Sequence, residues 1–178
     1  MITTENSKPR GRPRRFDAVE ALAAAQKLFH AKGYDAVSVS DLTKTLGINP
    51  PSFYAAFGSK AALYSCVLDR YAVSGAIPLQ EILRVDRPVG ESLAALLVAA
   101  AHAYANPEGS GCMVLEGTRS NKAEAREAAC VLHVAAQDAI RRFIAVRHPD
   151  EADRLADFVS TTMAGLSASA RHGHSLER

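Results

Sequence analysis

The side chains able to move protons, attack a substrate or hold a metal are present in this chain, but they do not converge. Behind residue 75 the candidate acids and bases are Glu91, Glu116, Asp138, Asp157, His102 and His133. None stands in a nucleophile elbow, a phosphate-cradling glycine loop or a metal-ligand spacing, so no catalytic residue and no cofactor is expected. Cys66, Cys112 and Cys130 are odd in number and far apart, with no Cys-x-x-Cys pair, which matches neither a disulfide framework nor a zinc site. His172-Gly173-His174 is read as a solvated tail rather than a ligand pair, and no metal site is expected. Cys112-Met113 follows a glycine-rich loop at an expected helix start. Two readings of Cys112 stay open: a small apolar filler, or a thiol whose pKa the helix N-terminus lowers for sensing or soft-metal binding.

The second kind of chemistry is charge. The whole chain is +2, yet residues 1–15 hold Lys8, Arg10, Arg12, Arg14 and Arg15 against Glu5 alone, a net +4. Residues 75–178 carry 11 basic and 13 acidic side chains. A basic arm ahead of a mildly acidic body points to a polyanion at the N-terminal end, the alternative being a solubilising tail. Arg10-Gly11-Arg12-Pro13-Arg14 resembles an AT-hook core, whose extended arginines enter a narrow A/T-rich minor groove.

Short capped helices must position such an arm. Asp17 and Glu20 open a helix whose apolar face is Ala18, Leu22, Ala25 and Phe29, and Gly33 stops it. Ser38 with Asp41 forms a second capping box, for a helix ended by Gly47. Asn49 is then an N-cap, and Pro50 and Pro51 fall in a first turn whose N–H groups have no intrahelical partner. That third helix spans 50–57, and a fourth runs from Ser59 to Tyr71 with Leu63, Val67 and Tyr71 at four-residue spacing. The helices 38–46 and 50–57, joined by a tight glycine turn, have the dimensions of a helix-turn-helix, in which one helix braces across a nucleic-acid backbone and the next lies in the major groove.

These residues resemble a known family. Phe16-Asp17 through Gly33-Tyr34, Ser38-Val39-Ser40-Asp41-Leu42, Leu46-Gly47-Ile48, Ser52-Phe53-Tyr54, Phe57-Gly58-Ser59-Lys60 and Leu63 are similar, in order and spacing, to the DNA-binding domain of TetR-family regulators. The resemblance covers about residues 10–71. It implies that Ser38, Tyr54 and Lys60 meet phosphates and that Asn49, Pro50, Pro51 and Ser52, at the start of the third helix, face bases. Pro50, Pro51, Ala55, Ala56 and Gly58 depart from the usual pattern, so base readout is expected to be poor in hydrogen bonds and to rest on packing, for example against thymine methyls.

Behind Gly75 longer helical patterns follow at about 79–84, 89–105, 112–120, 123–147 and 150–171. Alanine abundance, absent tryptophan and 6% aromatics favour close-packed helices, so the expected fold is all-α with about nine helices. Expected boundaries are an arm at 1–15, a DNA-binding domain at 16–75 and a ligand and dimer domain at 76–178. The most apolar stretch, 92–105, is interrupted by His102 and too short to span a membrane, so a cytoplasmic protein is expected.

In the last helix Leu155, Phe158, Val159, Thr162, Met163 and Leu166 form a stripe, matched by Leu132, Ala136, Ala139, Phe143 and Val146 in the helix before it. An intersubunit four-helix bundle is expected there. A small-molecule pocket is expected around Tyr64, Leu97, Tyr104, His102, Cys112, Met113, Glu116 and Arg119, a mixture of apolar lining and orienting polar groups. The resemblance implies a repressor that binds a near-palindromic duplex as a homodimer and is released by an effector. The rival is a helical ligand-binding module with only non-specific anion affinity.

Overall fold

The computed structural model describes residues 17–75, 77–106 and 109–177. The arm residues Arg10, Arg12 and Arg14 therefore lie outside the described residues. Among those described there are nine α-helices and no strand: α1 Ala18–Lys32, α2 Val39–Leu46, α3 Pro50–Phe57, α4 Lys60–Ser74, α5 Leu79–Ile82, α6 Val89–Tyr104, α7 Met113–Gly117, α8 Ala123–Ala145 and α9 Ala152–Arg171. The all-α expectation stands, with small shifts at the ends. The fourth helix continues a turn beyond Tyr71, and the last begins after a 3-10 turn, Pro149–Glu151, in place of Asp150.

The caps are those the residue types call for. Asp17 accepts from the N–H groups of Val19 and Glu20 at 2.8 and 3.3 Å. Ser38 and Asp41 satisfy each other reciprocally, Asn49 accepts from the Ser52 N–H at 2.9 Å, and Ser59 accepts from Ala62 at 3.0 Å. Gly47 takes the left-handed φ of 67° that turns α2 into α3, a conformation costly for any residue with a Cβ.

Two apolar clusters hold the helices together. The first gathers Phe29, Leu42, Phe53, Leu63, Tyr64 and Val67 from α1–α4 and continues into Met113, Ala125 and Ala129 of α7 and α8. Tyr64 is its hub, edge-on to Phe29 at 5.0 Å and tilted to Tyr34 at 4.8 Å between ring centroids. At Gly117 a Cβ would lie 2.6 Å from both the Tyr64 hydroxyl oxygen and the Ala129 Cβ, so α7 reaches this hub only through glycine. The second cluster joins Val89, Leu93 and Leu96 of α6, Ile140 and Ile144 of α8, and Ala156 and Val159 of α9.

Polar contacts add to the tie between the N-terminal helices and the rest. The Asp35 carboxylate accepts from the Ser120 hydroxyl at 2.8 Å and the Asn121 N–H at 2.9 Å. These bonds hold the Asp35 pKa below its ordinary value. His30 in the last turn of α1 bonds through Nε2 to the Gly111 carbonyl at 3.0 Å, which places its proton on Nε2. Arg171 at the end of α9 donates to the His30 carbonyl at 3.1 Å and pairs with Glu116 at 3.3 Å.

Burial pushes the His30 pKa down; its bond to Gly111 opposes this and the Arg171 charge adds to it. The folded state thus favours the neutral ring. The resulting stability is complete above the unfolded value of about 6.5 and is lost as pH falls below it toward the depressed folded value. His133, lowered by burial, has the same sign. We expect the thermal midpoint to fall between about pH 7 and about pH 5 and His30→Gln, whose amide can still donate to Gly111, to flatten that fall. An identical pH profile in the variant would remove His30 from the coupling.

Candidate nucleic-acid interface and ligand cavity

Three aromatic side chains set the pose of α3. Phe53 is fully buried, Phe57 packs on it at 5.5 Å, and Tyr54 stands edge-on to Phe53 at 5.4 Å while remaining 52% exposed. Asn49, Pro50, Pro51, Ser52, Tyr54, Ala55 and Ala56 are all exposed. The structure thus collects the residues expected to face bases on one solvent-facing helix start. Ser38 is exposed at the N-cap of α2, but its hydroxyl donates to Asp41 at 2.6 Å and its N–H bonds the same carboxylate at 2.9 Å. The donors left at that helix start are the N–H groups beyond Ser38, so an anion there would meet backbone rather than hydroxyl.

Lys60 is placed differently from a free surface cation. Its ammonium lies 3.9 Å above the Tyr34 ring, and burial lowers its pKa against the opposing pull of Asp35. A phosphate contact by Lys60 requires the side chain to leave that ring.

In the rear half a cavity of about 600 Å³ opens between the end of α4, α5, α7, α8 and α9, with Tyr104 of α6 on its wall. Its polar groups are Tyr71, Tyr104, Cys112, His133, Gln137 and Ser160, with Gln80 and Glu81 of α5, set among Leu115, Leu132, Ala136, Ala139, Ile140 and Met163. The Tyr71 and Tyr104 phenols both meet the Cys112 thiol, and burial raises both phenol pKa values, so each stays an O–H group. Ser160 carries a buried hydroxyl oxygen without a hydrogen-bond partner.

The pocket residues read from the sequence do not all share this cavity. Of these, Cys112 and Tyr104 line it and the others do not. Tyr64 and Met113 belong to the first core, and Leu97 packs on the second. Glu116 and Arg119 pair with each other at 3.5 Å near Arg171, and His102 is exposed. The inward face of α6 is Val89, Leu93, Leu96, Ala100 and Tyr104. His102 sits two residues from Ala100 and from Tyr104, about 200° around the axis, and so points away. Ser160 was missed, although a lone hydroxyl within the buried-type stripe Ala156, Val159, Met163 is a readable signal.

The α9 stripe divides as well. Val159 is buried in the second core and Leu155 and Met163 pack against it, whereas Phe158 is 63% exposed and Thr162 and Leu166 are half-buried. On α8, Leu132, Ala136 and Ala139 line the cavity and Phe143 is in the core. The large apolar residues that α8 leaves outside are Val131 at 70% and Val134 at 54% exposure, and Val146, which follows the helix, is 71% exposed. Among the described residues no His/Cys/Asp/Glu group could hold a metal, and no helix is long and apolar enough to cross a membrane.

The comparisons agree with this geometry. A family model described as "Bacterial regulatory proteins, tetR family" matches residues 21–66, the span of the helix-turn-helix and its flanks. The chain is 54% identical over 179 residues to the HTH-type transcriptional repressor BdcR of Escherichia coli (strain K12), covering 100% of this chain and 91% of that protein. It is 32% identical to the HTH-type transcriptional repressor ComR of the same organism, over 96% of this chain and 87% of that protein. Among solved structures, the TetR family transcriptional regulator CifR, a cysteine mutant complexed with 26bp double-strand operator DNA, superposes with a TM-score of 0.82 at 30% identity, covering 94% of this chain and 93% of that one. Sequence identity extending over most of these proteins, a shared fold and a matching helix-turn-helix place the chain in the tetR family of bacterial regulatory proteins.

Proposed function

We propose that the protein is a cytoplasmic transcriptional repressor that binds a near-palindromic operator as a homodimer and leaves it when a small molecule fills the rear cavity. The observation that carries the reading is α3: a short helix pinned by Phe53 and Phe57 whose exposed start is bare of charge and shaped to enter a major groove. The relatives named repressors and the CifR complex with operator DNA support the same use. Asn49, Pro50, Pro51 and Ser52 meet bases by packing and one or two hydrogen bonds, and Tyr54, Lys60 and the start of α2 meet phosphates. Arg10, Arg12 and Arg14 reach a flanking minor groove. Residues 16–75 act as the DNA-reading part and 76–178 as the ligand and dimer part.

The dimer surface is the outer face of α8 and α9. Phe158, Thr162 and Leu166 pack across it with Val131 and Val134, while Leu155, Val159 and Met163 support the stripe from inside. Two-fold symmetry then sets two α3 helices about 34 Å apart, one duplex turn. The cavity is the effector site, with Cys112 on its wall.

The test is a salt titration of binding to an operator selected from random duplexes. Tyr54→Phe and Lys60→Ala should weaken every duplex about equally, and Lys60→Ala should reduce the salt slope by about one unit. Deleting residues 1–15 should cost most on A/T-rich flanks. Affinity that depends on salt but not on sequence would reject the repressor in favour of a helical module with general anion affinity.

A further inference from the structure

We infer that the cavity selects uncharged effectors: mostly apolar molecules carrying a hydrogen-bond acceptor such as a carbonyl for Tyr71, Tyr104 and Cys112 and a second polar group for Ser160. This deepens the proposed function and rests on the cavity being its effector site.

A carboxylate or phosphate buried here would need a cation, and an ammonium would need a carboxylate, because a buried unpaired ion loses its hydration without replacement. The lining offers neither inside. His133 is half-buried and burial holds its ring toward the neutral form. Arg171, whose field reaches Tyr71, is committed to Glu116 and to the His30 carbonyl. The carboxylate among the lining residues, Glu81, is exposed at the mouth, where it repels anions and stays solvated rather than pairing with a buried amine.

Tyr71 and Tyr104 are buried phenols whose pKa values are pushed up, so they present O–H donors at neutral pH. The thiol that they share is a weak partner, and a carbonyl oxygen is a stronger acceptor for the same donors. On the α9 wall the Ser160 hydroxyl has no partner, and a buried polar group left unpaired is a cost that a ligand group can remove. At about 30 Å³ per molecule the 600 Å³ corresponds to about 20 waters, in the size range of small-molecule sites.

The cavity wall is also tied to the N-terminal helices. Cys112 directly follows Gly111, whose carbonyl holds His30 of α1, and the Cys112 N–H bonds Ser167 of α9 at 2.9 Å. A molecule that displaces the thiol acts on the segment that fixes the end of α1.

The experiment uses the full-length protein with panels of matched trios, each an amide or ketone with the carboxylate and the primary amine of the same skeleton. Thermal shift and operator release are read at neutral pH. Neutral members are expected to bind at least about tenfold tighter than both charged partners. Ser160→Ala, which removes an unpaired hydroxyl and so should fold, is expected to weaken the neutral ligands without changing operator affinity. Ala136→Trp, filling the cavity, is expected to abolish their binding. Preference for the carboxylates or the amines, no binding by any neutral member, or full binding in both variants would overturn the inference. Absence of specific operator binding by the unliganded protein would instead overturn the proposed function and leave the ligand preference standing.

Discussion

Phe158→Glu is expected to yield a folded monomer that binds the palindromic operator at least about a hundredfold more weakly than the parent. Phe158 is 63% exposed on α9, so the change removes little from the chain's own core. In the proposed dimer, however, it brings two carboxylates toward the apolar surface assigned to Val131, Val134 and Leu166, and toward each other. Linked binding of two half-sites is worth a factor of about 10² to 10⁴ over one, and a monomer forfeits it. Light scattering gives the mass, and titration of a full operator against a half-site gives the lost linkage. Met163→Glu is a poorer probe, because Met163 lines the cavity and packs on the second core, where a charge would also unfold the chain. A Phe158→Glu protein that stays dimeric would move the interface off this face.

Phe53→Ala is expected to destabilise the protein by about 3–5 kcal/mol and to abolish specific DNA binding. With eight residues α3 is too short to persist by itself, since isolated helices below about 12 residues are marginal in water. Its order comes from packing, mainly on α2 and α4, through Phe53, which is fully buried, and Phe57 beside it. Removing the ring leaves a cavity under the helix that carries Pro50, Pro51, Ser52 and Tyr54. Phe53→Leu should keep more of both properties, since it leaves a smaller cavity under α3 than alanine does. Urea unfolding and operator titration measure the two effects separately. Intact operator binding in Phe53→Ala would mean that α3 is not the reading helix.

The limits of helices and the helix-turn-helix were legible in the residues because the signals are local. Asp17, Ser38, Asn49 and Ser59 bond N–H groups two or three residues ahead, and Gly47 turns the chain where it stands. The motif at 21–66 is read from such neighbours and from spacing. Periodicity also told that α6, α8 and α9 each bury a face. It could not tell which residue of a stripe meets the core, the cavity or solvent, because adjacent positions differ by about 100° around the axis and only the packing partner sets the zero of that angle. Phe158 and Val159 are neighbours in sequence, one exposed and one buried. His102 and Tyr104 were both candidates for the cavity, and only Tyr104 reaches it.

Contacts between distant segments were beyond the sequence for the same reason. His30 with Gly111, Asp35 with Ser120 and Arg171 with Glu116 join residues whose pairing no local rule encodes. The helices, their caps and the helix-turn-helix follow from neighbouring residues, through interactions that span one turn. Tertiary structure decided the cavity wall, the division of the α9 stripe and the link from Cys112 to α1, because each depends on which helix faces which.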